Sequence, residues 1–69
     1  MQLFITCEFG TGTQTFLKEG ATDADVQALS DAMHGDPDAV IAFVGRLTPD
    51  GPDRERLVRA SRIRSVEAG

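Results

Sequence analysis

The chain contains one cysteine, Cys7, and neither tryptophan nor tyrosine. A single cysteine excludes an internal disulfide, and no Cys/His set has the spacing of a structural zinc site. Four phenylalanines are the only aromatic residues. The 69 residues form a single domain, residues 1–69, and so short a chain buries only about 60% of its unfolded surface. We therefore expect a thin core that is supported by self-association or by a partner.

Long hydrophobic runs are absent as well. No apolar stretch approaches the ~18 residues that a membrane-spanning helix needs. The first residues lack the basic segment of a signal peptide and reach a charge at Glu8. We therefore expect a cytoplasmic protein without membrane association.

Basic residues are almost missing from the first 45 positions, which contain seven acidic residues and one lysine, Lys18, for a net charge of −6. The remainder has a net charge of +2 because it carries six arginines, which are Arg46, Arg54, Arg56, Arg59, Arg62 and Arg64. The overall pI of about 4.6 argues against uniform attraction to nucleic acid. Opposed charge in a small domain can steer a partner, bind a second copy or pair internally.

Alternating hydrophobicity over residues 2–9 predicts a half-buried strand, although Phe4 interrupts its polar side. The glycines of Gly10-Thr11-Gly12 favour a hairpin turn into a second strand over residues 13–18. A helix is predicted from Asp23 to His34, because Thr22 suits the N-cap and apolar residues recur at helical spacing. Gly35 is expected to end it in the left-handed conformation.

The run Val40–Val44 is apolar on both alternating faces. This pattern is typical of a strand covered on both sides, either at the centre of a sheet or in an oligomer interface. A turn over residues 48–52 then leads into an antiparallel strand from Arg54 to Ser61, and a bulge or tight turn near Ser61 precedes a short fifth strand. The sequence predicts an α+β fold: an antiparallel sheet of about four to five short strands with one amphipathic helix, in ββαββ(β) order.

Residues 57–66, Leu-Val-Arg-Ala-Ser-Arg-Ile-Arg-Ser-Val, resemble the last two short strands of Sm-like or SH3-like barrels. The Lys-His pair that the bacterial Sm-like RNA chaperone carries in this region is replaced by Ala60-Ser61. The predicted helix also lies in the middle of the chain and not at its start. The resemblance therefore implies a local strand arrangement and does not imply RNA binding.

No catalytic, cofactor-binding or metal site is predicted. The Gly10-Thr11-Gly12 segment leads into a strand, whereas a phosphate loop leads into a helix. Cys7 lies in the apolar register of its strand, which favours a core position over a nucleophile. His34 is close to Asp36 and Asp38 in sequence, but a distant fourth metal ligand is missing. We expect a protein that is not an enzyme.

The arginines are the first candidate interaction surface: Arg54, Arg56, Arg59, Arg62 and Arg64. Four of them share one strand parity and Arg59 has the other, although a turn near Ser61 would disrupt this row. Guanidinium groups bind phosphates and carboxylates in bidentate geometry. The alternative is a solvated face paired with Glu55, Glu67 and the acidic helix, where such pairs contribute little.

Three functions remain open. The first is a protein-interaction or assembly module, self-associating, that uses the strand around Ile41 and Phe43 together with the arginine strand. The second is a regulator or inhibitor that presents an acidic surface, Asp23, Asp25 and Asp31, to a basic site on another macromolecule. The third is nucleic-acid binding through the arginines, which is less favoured because the chain has no tyrosine or tryptophan to stack on bases.

Overall fold

The structure is a computed structural model that describes residues 1–69. Five strands, one α-helix and a 3₁₀ turn follow one another along the chain. They are β1 (Leu3–Phe9), β2 (Gly12–Lys18), α1 (Asp23–His34), β3 (Val40–Gly45), β4 (Arg54–Arg59), the 3₁₀ turn (Ala60–Arg62) and β5 (Ile63–Ala68). The predicted α+β fold and its ββαββ(β) order are confirmed.

The strands form two antiparallel sheets, one in the order β2-β1-β5 and the other a β3–β4 ribbon. The sheets meet at one corner, where the backbones of Leu17 and Arg46 exchange hydrogen bonds of 2.8 and 2.9 Å. Because only the ends of β2 and β3 pair, the expected sheet is divided into two layers. The core lies between these layers.

The core is thin, as expected: 11 of the 69 residues are buried. Leu3, Ile5 and Cys7 project from one side of β1 and are completely buried, which confirms Cys7 as a core residue. Phe16 and Phe43 connect the two sheets by an edge-to-face contact, with ring centroids 5.5 Å apart. The largest buried side chains therefore lie on β1 and where the two sheets meet, and Leu29, Val58 and Ile63 extend the core from α1, β4 and β5.

Helix α1 starts where the sequence predicts. The Asp25 N–H donates to Thr22 Oγ1 at 3.3 Å, and the Thr22 N–H donates to the Asp25 carboxylate at 2.9 Å, which completes a capping box. The helix ends at His34, as predicted, but Gly35 does not adopt the left-handed conformation. Its φ is −95°, so it is not left-handed, and the helix ends with a hydrogen bond from the Gly35 N–H to the carbonyl of Ala32.

The capping box makes stability depend on pH. The hydrogen bond from the Thr22 backbone N–H lowers the pKa of the Asp25 carboxyl below its usual value. A lowered folded-state pKa stabilises the protein above the unfolded-state pKa of ~3.9, and this stabilisation is lost as the pH falls through the folded-state value. We expect Asp25→Asn to lower the melting temperature at neutral pH, and we expect the difference from the wild type to shrink as the pH falls below the unfolded-state pKa of ~3.9.

Thermal melts followed by circular dichroism over this pH range measure the difference. Asp50→Asn is the matched control, because the Asp50 side chain makes no hydrogen bond or ion pair. A difference in melting temperature between the wild type and Asp25→Asn that stays constant from neutral to acid pH would contradict the linkage.

The tight turn predicted near Ser61 is present as the 3₁₀ turn, and β4 accordingly ends at Arg59. The turn resets the side-chain parity, so that Val58, Ala60 and Ile63 are all buried. The N–H groups of Ala60 and Ser61 donate to the carbonyls of Ala39 and Pro37 at 2.8 and 3.0 Å.

The expectation that β3 is covered on both faces is wrong for the single chain. Phe43 is buried and Ile41 is half-buried, whereas their neighbours Val40, Ala42 and Val44 are exposed. The helix does not cover this side, because it packs mainly on β5 and the 3₁₀ turn. One complete face of an apolar strand is left in contact with solvent.

Candidate interaction surface

The exposed side of the β3–β4 ribbon has an apolar centre with one charge at each end of β4. Residues directly opposite each other in an antiparallel pair project on the same side. The residues that share this side, called the outer face below, pair as Val40 with Arg59, Ala42 with Leu57, and Val44 with Glu55. Leu57 is 65% exposed, Val40 61% and Val44 48%.

The opposite side of the ribbon packs against the core. Val58 is buried there, and Phe43 lies against Phe16. Ile41 and Phe43 were the expected contact residues of this strand, but they lie on this inner side, and their neighbours form the exposed surface. The sequence pattern did not single out Leu57 as a contact residue. It lies between Glu55 and Arg59 on the side of β4 that is otherwise charged, and an apolar residue in that position indicates an exposed apolar side chain.

The outer face adjoins an unpaired strand edge. The Ala60 N–H donates to the Ala39 carbonyl across the ribbon. The backbone of Arg46 instead exchanges hydrogen bonds with Leu17 of β2, on the edge of β3 that faces away from β4. Since hydrogen-bonding direction alternates along an antiparallel strand, the N–H and C=O groups of Val40, Ala42 and Val44 point away from β4.

A groove of about 320 Å³ lies between this part of β3 and α1. Its apolar lining comes from Ala28, Leu29, Ala32 and residues 40–43.

The five candidate arginines do not form one row. The Arg56 guanidinium lies 5.3 Å from the centroid of the Phe16 ring, and its Nε donates to the Gly45 carbonyl at 3.2 Å. Arg59 lies 4.0 Å from Asp38, and Arg64 pairs with Glu8. Arg54 and Arg62 are exposed on β4 and the 3₁₀ turn, without an ion pair.

The expected partners of the arginines are also wrong. Where ion pairs form, the acids are Asp38 and Glu8, not Glu55, Glu67 or the helix. The 3₁₀ turn places Arg62 and Arg64 on elements separate from β4. Arg46 has a local role, since it donates to both carboxylate oxygens of Asp53 and to the carbonyl of Pro49 within its own loop.

The three acidic candidates on α1 lie in different directions. At about 100° per residue, Asp25 lies about 160° around the helix from Asp23, and Asp31 about 80° from it. Asp25 is engaged in the capping box, and Asp31 accepts a hydrogen bond of 2.8 Å from the Gln27 amide. The three carboxylates therefore project in different directions from the helix and do not form one acidic face.

The structure assembles no cluster of three or more His, Cys, Asp or Glu side chains that could hold a metal ion. Burial raises the pKa of the Cys7 thiol, which disfavours the thiolate. The His34 ring lies at the end of α1, with Nδ1 2.8 Å from the Ser30 carbonyl. The single helix, at 12 residues, is too short to span a membrane.

Comparison with known proteins adds no assignment to this surface. No family model, no curated protein and no solved structure matches the chain. The outer face is therefore interpreted from its own side chains, their exposure and their charges.

Proposed function

We propose that this chain is a non-enzymatic protein-interaction or assembly module whose contact surface is the outer face of the β3–β4 ribbon. The observation that supports this proposal is the exposure of Leu57, Val40 and Val44 on one side of one ribbon. Isolated exposed apolar residues are ordinary, but a contiguous apolar patch with a polar rim is characteristic of an interaction site.

The thin core supports the same function. Complete burial of a valine or leucine side chain contributes about 1.5–3 kcal/mol, and the outer face leaves three such side chains about half exposed or more. A standard interface takes about 800 Å² from each partner, which is roughly a fifth of the 4375 Å² surface of this chain. A partner on the outer face would add apolar burial that the single chain lacks.

The test is site-specific photo-crosslinking in cells that express the full chain. One variant carries benzoylphenylalanine in place of Leu57. The matched control carries it in place of Gln14, an exposed residue of β2 in the other sheet. We expect a discrete crosslinked protein adduct from position 57 and none from position 14, because the aromatic ketone reacts only with groups that lie against it.

Mass spectrometry of the adduct identifies the partner, whether it is a second copy or another protein. A chain that forms no adduct from position 57 would overturn the proposed function, and so would equal labelling from both positions. Circular dichroism of both variants confirms that the comparison is made between folded proteins.

A further inference from the structure

The two charges on the outer face are placed symmetrically. Leu57 is the midpoint of the β4 residues on this face, with Glu55 two positions before it and Arg59 two positions after it. Ala42 is the midpoint of the β3 residues and is paired directly with Leu57. A line through Ala42 and Leu57 therefore divides the face into two halves of the same shape, one with a positive corner and one with a negative corner.

A two-fold axis parallel to that line, midway between two facing copies, would stack them face to face. Each strand would then run in the direction opposite to the same strand of the other copy. Arg59 would then lie over the partner's Glu55, and Glu55 over the partner's Arg59. Val40 would meet the partner's Val44, and Leu57 would meet the partner's Leu57. An isologous interface of this kind uses one self-complementary patch twice, and stacked sheets separated by ~10 Å leave room for these side chains.

A two-fold axis that runs along the strands would also stack the two faces, but it is less favourable. It would place Leu57 over the partner's Ala42, a good match of large and small side chains. However, it would also place Arg59 over the partner's Val40 and Glu55 over the partner's Val44. Both charges would then lose water without gaining an opposite charge, which is costly in an interface.

Both charged side chains are available for such a contact. Glu55 is exposed and has no ion pair within the chain. Arg59 has only the 4.0 Å approach to Asp38, in which both side chains are largely exposed. Pairs of this kind contribute little to stability, so Arg59 can be redirected to a partner at small cost.

We propose that the partner of the outer face is a second copy of this chain, related by the two-fold axis parallel to the line through Ala42 and Leu57, with reciprocal Arg59–Glu55 pairs between the subunits. This inference rests on the proposed function, since it names the occupant of the same surface. Charge complementarity determines the orientation of the two copies, while the apolar centre supplies most of the burial.

The test uses charge reversal in the full-length chain, followed by sedimentation velocity from micromolar to millimolar concentration. Arg59→Glu alone places like charges opposite each other twice, and so does Glu55→Arg alone. We expect each to weaken dimerisation by about tenfold or more, because like charges facing each other disfavour an interface strongly. Arg62→Glu, an equal change of charge on the 3₁₀ turn, should dimerise nearly as well as the wild type.

The decisive samples combine the two reversals. The double variant Arg59→Glu/Glu55→Arg restores opposite charges and should dimerise like the wild type. An equimolar mixture of the two single variants should form a heterodimer, since one chain then presents two negative corners and the other two positive corners. Mass spectrometry under native conditions distinguishes this heterodimer from either homodimer.

A wild type that stays monomeric at all concentrations would overturn the inference, as would single variants that dimerise normally or a mixture that fails to associate. If position 57 crosslinks only to a different protein, the proposed function stands and the second-copy inference fails. If the chain dimerises but position 57 gives no adduct, both fail, because the dimer then uses another surface.

Discussion

Replacing Phe16 with alanine is expected to lower the free energy of unfolding by about 3–5 kcal/mol. The Phe16 ring is buried, contacts the edge of Phe43 and lies beneath the Arg56 guanidinium. Truncation of a buried phenylalanine costs about 3–5 kcal/mol. A domain of this length has a total stability of about 3–10 kcal/mol, at about 0.05–0.15 kcal/mol per residue. The loss of one ring is therefore comparable with the whole free energy of unfolding.

Urea denaturation followed by circular dichroism measures this loss, with Phe4→Ala as the matched control. Phe4 lies on the opposite side of β1 and is 36% exposed, so the same truncation should cost about 1 kcal/mol. Equal losses for the two variants would show that the core is not concentrated where the two sheets meet.

Replacing Gly45 with valine is expected to open the corner between the sheets. A Cβ atom at this position would lie 3.2 Å from the Leu17 carbonyl oxygen and 3.4 Å from the Phe43 ring. The oxygen belongs to the backbone that bonds Arg46, so it cannot move without weakening the only backbone connection between β2 and β3. Overpacking of this kind costs about 1–3 kcal/mol, and we expect the upper end of that range.

Gly10→Val is the control for the same added side chain. No atom lies within 4 Å of a Cβ at Gly10, so Gly10→Val should change the free energy of unfolding by about 0.5 kcal/mol or less. Amide hydrogen exchange provides a second measurement, because loss of the corner should increase exchange at Leu17 and Arg46. A Gly45→Val protein with wild-type stability and protection would contradict this role for the glycine.

Local patterns of the sequence predicted most of the fold, because each element depends on residues close together in the chain. Thr22 and Asp25 complete a capping box through hydrogen bonds within one turn, and the alternation around Leu3, Ile5 and Cys7 is fulfilled by one strand. The change of parity after Val58 also required a turn near Ser61, and the 3₁₀ turn provides it.

The exposed face of the β3–β4 ribbon was predicted less well. The run Val40–Val44 is apolar on both sides, so alternation could not show which side the chain itself would cover. The choice depends on where α1 packs, and the helix packs on β5 and the 3₁₀ turn. Strand parity alone relates four of the five arginines, but the turn near Ser61 disrupts that row, and the structure distributes them over β4, the 3₁₀ turn and β5.

The sequence by itself determined the strand and helix order, the helix start at Thr22, the thin core and the opposed charges of its two parts. These properties follow from composition and from interactions over a few residues. Only the tertiary structure decided that Phe43 faces inward, that Gly45 closes the corner, and that Glu55, Leu57 and Arg59 share an exposed face with Val40 and Val44. Those outcomes depend on contacts between residues far apart in the chain, where packing selects one of two equally apolar sides.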